Sequence, residues 1–90
     1  IAFYRSVSNP AALAEYAKLA TPAIQSGGGR FIARGTPYRK YEAGLDQRTV
    51  VIEFDSVQSA VATYEGPAYQ AALKVLAGAA ERDIRILEGS

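Results

Sequence analysis

Hydrophobic positions along the 90-residue chain change period several times, and each change marks an element. "IAFYRSV" alternates and is rich in strand formers, and Asn9-Pro10 then supplies a helix-capping side chain followed by a proline suited to the first helical turn. Leu13, Tyr16, Ala17, Ala20 and Ile24 recur at spacings of three and four, which predicts an amphipathic helix. Pro22 lacks the N–H that would bond the Lys18 carbonyl, so a kink or break is expected there, with one further turn after it. "QSGGGRFIARG" has the glycines of a phosphate loop in the reverse context, with a helix entering and a strand leaving. Gly27 is therefore read as the left-handed residue that stops the helix, with Gly28 and Gly29 turning the chain into the strand "RFIAR".

A polar stretch with Pro37 and Gly44 leads to "RTVVIEF", the strongest strand pattern, so these two strands are expected to form a hairpin with a long tip. Asp55-Ser56 caps a short helix carrying Val57, Ala60, Val61 and Tyr64. Gly66-Pro67 restarts it, with Tyr69, Ala72, Leu73 and Leu76 on one face and Ala80 below them. "DIRILEG" closes the chain as an alternating strand, with Asp83 read as a turn residue ahead of it. The order β-α-β-β-α-β predicts one α+β domain over residues 1–90. It is a ferredoxin-like fold, with a four-stranded antiparallel sheet and helices on one face.

Period-two counting assigns Phe3, Phe31, Ala33, Val50, Ile52, Phe54, Ile84 and Ile86 to the helix side. Tyr4, Ile32, Arg34, Thr49, Val51, Glu53, Arg85 and Leu87 then fall on the other side, a mixed face that is costly to leave in water. Two copies meeting sheet to sheet would cover it, giving a closed, barrel-like homodimer. Arg34 and Glu53, on adjacent strands of that face, are read either as an interfacial ion pair that fixes the dimer register or as a ligand-orienting pair. Tyr16, Tyr64 and Tyr69 are read either as core tyrosines with hydroxyls reaching the surface or as ligand-binding groups.

Composition narrows the chemistry. The chain has no Cys, no His and no Trp, which removes the thiolate and imidazole ligands of zinc, iron–sulfur and haem sites and the nucleophiles and bases of most triads. No metal site and no cofactor is expected. Without Cys there is no disulfide framework, and no signal peptide or membrane span is visible, so a cytoplasmic protein is expected. The chain starts at Ile1 and not Met, so a few residues are expected to precede it. A net charge of +1 gives no field that favours nucleic acid or an anionic membrane as a partner. Tyr38, Arg39, Lys40 and Tyr41 form the one basic-aromatic cluster. "RTVVIEF" offers Thr49, Val51 and Glu53 where an RNA-recognition sheet would present stacking aromatics, so neither feature supports nucleic-acid binding.

"EYAK", "GGRFIARG", "RTVVIEF", "YEGPAYQAAL" and "ERDIRILEG", in this order over nearly the whole chain, resemble the small bacterial proteins grouped as domain of unknown function 1330, within the dimeric α+β barrel superfamily. The resemblance implies a ferredoxin-like protomer and a homodimer through the sheet face, and it implies no activity. Arg34, Arg48, Glu53, Tyr64, Tyr69 and Asp83 match family positions without an assigned role. Leu76, Thr63, Gly66 and Ala68 depart from the Arg, Trp, Ser and Glu common there. Two functions remain at this point. One is a pocket between helices and sheet for a small organic molecule, with Arg34 attracting a carbonyl or carboxylate and Glu53 or a tyrosine serving as acid or base. The other is a non-catalytic dimerisation module. A cofactor-independent oxygenase or isomerase enters only by superfamily analogy.

Overall fold

The computed structural model describes residues 1–90 as β1 (Ala2–Val7), α1 (Pro10–Ser26), β2 (Arg30–Gly35), β3 (Thr49–Glu53), α2 (Val57–Glu65), α3 (Pro67–Leu76) and β4 (Ala80–Ile84). The strands form one antiparallel sheet in the order β2-β3-β1-β4, the ferredoxin-like arrangement, with the second helical region in two pieces. No helix is long and apolar enough to cross a membrane.

Local chemistry sets the helix boundaries. Asn9 is extended and its side chain accepts the Ala12 N–H at 3.2 Å, a cap that contributes about 1 kcal/mol. Ser56 does the same for the Ser59 N–H at 3.0 Å, and Pro67 opens α3 directly after Gly66. Helix α1 runs unbroken through Pro22, where sequence analysis expects a kink or break. Lys18 and Pro22 are both exposed, so water can bond the carbonyl that the proline leaves free. Helix α3 stops at Leu76, earlier than its apolar spacing implies, because Ala77 turns left-handed, and Ala80 already belongs to β4.

The three glycines divide their work differently from the expectation. Gly27 keeps a right-handed conformation, and Gly28, with φ +91°, is the left-handed residue. Gly27 is required by space: a Cβ there would collide with the side chain of Thr63 on α2. The turn is closed by the Gly29 N–H, which donates to the Ile24 carbonyl at 2.9 Å.

Only 11 of 90 residues are buried, so the core is thin. Its cluster joins Tyr16, Ala20, Ala23 and Ile24 of α1 to Tyr69, Ala72 and Leu76 of α3, with Ala79 just before β4. Three alanines in this set, Ala20, Ala23 and Ala72, let the two helices approach closely.

The sheet corrects the face assignment at three places. Ala2 pairs with Val50 and Tyr4 with Arg82, so Tyr4, 8% exposed, faces the helices and Phe3 faces away. Adjacent aromatics leave the parity of "FY" undetermined by hydrophobicity alone. In β2 an irregularity between Phe31 and Ala33 shifts the register, so Arg34 opposes Val50 and joins Phe31 on the helix side, while Ala33 opposes Val51 on the other. Glu53 stays on the outer face and opposes Arg30, so the expected Arg34–Glu53 pair does not form. Past Ile84 the strand ends, and Ile86 and Leu87 both lie beside the helix-side cleft, where continued alternation would have separated them.

The outer face therefore carries Phe3, Arg5, Arg30, Ala33, Thr49, Val51, Glu53 and Asp83. Asp83 lies within β4 and is not a turn residue. Arg85 hydrogen-bonds its carboxylate at 2.8 Å and Arg5 at 3.4 Å, which holds the carboxyl below its ordinary range. Arg30 bridges Glu53 and Asp55, both at 3.1 Å. The hairpin tip projects Tyr38, Tyr41 and Leu45 into solvent.

Gly27→Ala is expected to lower unfolding free energy by about 1–3 kcal/mol, because Thr63 must be displaced. Gly28→Ala is expected to lose about 1–2 kcal/mol through its left-handed backbone. Gly89→Ala, with open space around it, serves as the neutral control in urea titrations followed by circular dichroism.

Candidate functional site

Because the core concentrates between α1 and α3, the sheet is left partly uncovered on its helix side. A cleft of about 1030 Å³ opens there between the sheet, α1 and α2. Its base is Tyr4, Phe31, Val50 and Ile52, and its walls include Leu13 and Ala17 of α1 with Val57 and Ala60 of α2. The size and largely apolar lining are those of a small-molecule site. Four arginines border it, Arg34, Arg48, Arg82 and Arg85, against the acids Asp55 and Glu88. Arg85 is held by Asp83 and Asp55 by Arg30, so the side-chain charges without an ion-pair partner are Arg34, Arg48 and Arg82 against Glu88 alone. The cleft has a surplus of positive charge.

Its polar end is built from three elements. Tyr16 of α1 and Tyr69 of α3 place their hydroxyl oxygens 2.6 Å apart, and Arg82 of β4 donates from Nη1 to both, at 3.0 and 3.3 Å. The two rings meet edge to face with centroids 6.0 Å apart, and Tyr64 of α2 stacks obliquely on Tyr69 at 5.1 Å. The Arg82 guanidinium also sits 5.0 Å from the Tyr16 ring centre and 5.6 Å from that of Tyr4. Burial, then the hydrogen bond to Tyr69, pushes the Tyr16 phenol well above its ordinary value of 10.0. Burial works against the charge of Arg82, but its contacts with Tyr16 and Tyr69 outweigh that and it stays a cation.

Tyr16, Tyr64 and Tyr69 thus come together as sequence analysis groups them, with the Tyr16 and Tyr69 hydroxyls bonded to each other instead of reaching the surface. Arg34 lies at the cleft, stacked on Phe31 with 4.1 Å to the ring centre. Glu53 is on the opposite face of the sheet, and its carboxylate is taken by Arg30, so it does not belong to this site. Leu76, where relatives are expected to carry Arg, packs in the α1–α3 core and does not line the cleft. The residue sequence analysis passes over is Arg82. Its signal was present, since Arg82 lies two positions before Ile84 and shares that residue's helix-side register, a charge at an inward-facing position. No three Asp or Glu side chains converge at a metal-binding spacing, and the chain has no His or Cys to add to them.

One family model, described as a domain of unknown function (DUF1330), matches residues 1–90. The chain belongs to the DUF1330 family. A crystal structure of RPA0582, a protein of unknown function from Rhodopseudomonas palustris, is similar to this DUF1330 chain with a TM-score of 0.70 and 18% identity. The match covers 99% of this chain and 78% of that one. At that identity the likeness bears on fold alone, and it agrees with the ferredoxin-like arrangement. No curated protein matches.

Since the folded state holds Tyr16 neutral while the unfolded chain ionises it near its ordinary value, its contribution to stability is complete below pH 10 and declines as pH rises further. Thermal unfolding between pH 8 and 12 is expected to show Tm falling above pH 10, with a shallower fall in Tyr16→Phe. A Tyr16→Phe protein whose Tm tracks the parent across this range contradicts the assignment.

Proposed function

We propose that this protein binds a small organic molecule carrying a carboxylate or carbonyl in the cleft between sheet and helices. The observation that carries the reading is the pairing of an apolar cleft of about 1030 Å³ with three arginines that have no acidic partner. Of the three, Arg82 is half-buried, and a half-buried cation left unpaired in the apo chain is costly, a cost that an anionic ligand offsets. Arg34 and Arg48 border the cleft from exposed positions, suited to attracting a ligand, and the apolar base takes its body. Glu53 has no part in this reading, so any acid or base chemistry falls to the tyrosines.

The outer sheet face supports a second element of the reading, a homodimer. Phe3, Thr49 and Val51 are half-buried on a face that no helix of this chain covers, interleaved with the Arg5–Asp83–Arg85 and Arg30–Glu53 ion pairs. A second copy packed sheet to sheet would bury the apolar members and leave each ion pair to fix the register.

A thermal-shift screen of organic acids, alcohols and amines is expected to return stabilising hits concentrated among the acids. Arg34→Ala should keep the parent's fold and lose part of that stabilisation. A screen without hits, or with hits that carry neither carboxylate nor carbonyl, counts against the cleft reading. For the dimer, light scattering at micromolar concentration should give twice the chain mass, and Val51→Glu should give the monomer; a monomeric parent ends that part of the proposal.

A further inference from the structure

The polar end of the cleft is a set of hydrogen-bond donors with one hydrogen too many. Tyr16 and Tyr69 bring two O–H hydrogens, and their 2.6 Å contact uses one of them. Arg82 Nη1 donates to both oxygens, so it supplies further donors and no acceptor. The hydroxyl that accepts from its neighbour therefore keeps its own hydrogen, and neither phenol oxygen has another protein partner to receive it. Arg82 likewise pairs with no carboxylate, although it sits between the Tyr4 and Tyr16 rings at the edge of the core. Tyr16 and Tyr69 are each only 6% exposed, and both border the cleft. A buried donor without an acceptor and a half-buried cation without an anion, at one spot, lack the same thing: an anionic oxygen.

We propose that Tyr16, Tyr69 and Arg82 form an oxyanion seat that receives the carboxylate of a small organic acid, with the acid's apolar body lying over Phe31 and Ile52. This rests on the reading of the cleft as a ligand site and adds the position and orientation of the ligand. One carboxylate oxygen accepts from Arg82 and a carboxylate oxygen accepts the spare tyrosine hydrogen. The seat reads charge and hydrogen-bond polarity: an amide of the same shape lacks the charge and turns one of its ends into a competing donor.

The count of hydrogens makes an unusual demand on variants. Removing either hydroxyl alone leaves the other with its hydrogen free for the ligand, since no neighbouring phenol remains to accept it. Removing both leaves none. The experiment is a nuclear magnetic resonance titration of the whole chain with benzoate and, separately, benzamide. Benzoate should bind at least about 10-fold tighter, as expected for a charge-assisted pair of hydrogen bonds, with shifts at Tyr4 and Ile52. Arg82→Gln should abolish that preference. Tyr16→Phe and Tyr69→Phe should each change benzoate affinity by less than about 3-fold, and the double variant should lose about 10-fold or more. Should Arg82→Gln not fold, the double Phe variant, which removes only two oxygens, carries the test.

Equal affinities for benzoate and benzamide overturn the seat and leave the cleft reading standing. Single Phe variants that each lose as much as the double also overturn it. If neither probe, nor any acid, alcohol or amine from the thermal-shift screen, moves the resonances of cleft residues, the cleft reading falls and the seat falls with it.

Discussion

The contact between the Tyr16 and Tyr69 hydroxyls, bridged by Arg82, ties together the three elements on which the rest of this small fold depends. It fastens α1 to α3 and both to β4. In a domain with 11 buried residues, the apolar core supplies little redundancy, and a polar tie between its two principal helices carries correspondingly more of their relative placement. The alanines at 20, 23 and 72 work with it, since small side chains allow the helices close enough for two phenols to meet. Arg82 is aimed by the sheet: its pairing with Tyr4 sets it on the helix side, and the Tyr4 and Tyr16 rings flank the guanidinium.

The cleft follows from the same economy. Concentrating the core between α1 and α3 leaves the sheet under α1 and α2 with apolar side chains and no matching layer above them. The glycine turn after α1 contributes by pressing Gly27 against Thr63, so the end of α1 and the body of α2 meet at one side of the opening. Arginines border it because the strands deliver them: Arg34 through the irregularity in β2, Arg48 just before β3, and Arg82 through β4.

Element order was legible in the residues because each boundary has a chemical marker: Asn9-Pro10, the glycines after Ser26, Asp55-Ser56 and Gly66-Pro67. The apolar helix-side set Phe31, Val50, Ile52, Phe54 and Ile84 was legible for the same reason, since hydrophobicity and pleat agree there. Alternation alone misplaces Arg34 and Tyr4, because it carries no information about a register shift or about which of two adjacent aromatics points inward. With Arg34 turned to the helix side, Glu53 is left on the outer face with Arg30. Arg82 is hard to read because a lone arginine in an exposed-looking run, "AERD", passes for surface until its opposite number, Tyr4, is known. Pairing across strands is a long-range property, and the site is made of it.

The central claim is that Tyr16, Tyr69 and Arg82 present donors that the protein itself leaves unanswered. A crystal structure of the protein soaked in benzoate tests this most directly. The account predicts a carboxylate oxygen within hydrogen-bond distance of Arg82 and of one tyrosine hydroxyl, with the ring over Phe31 and Ile52. Benzoate held only by Arg34 or Arg48, with an acidic side chain closing on Arg82, would contradict it.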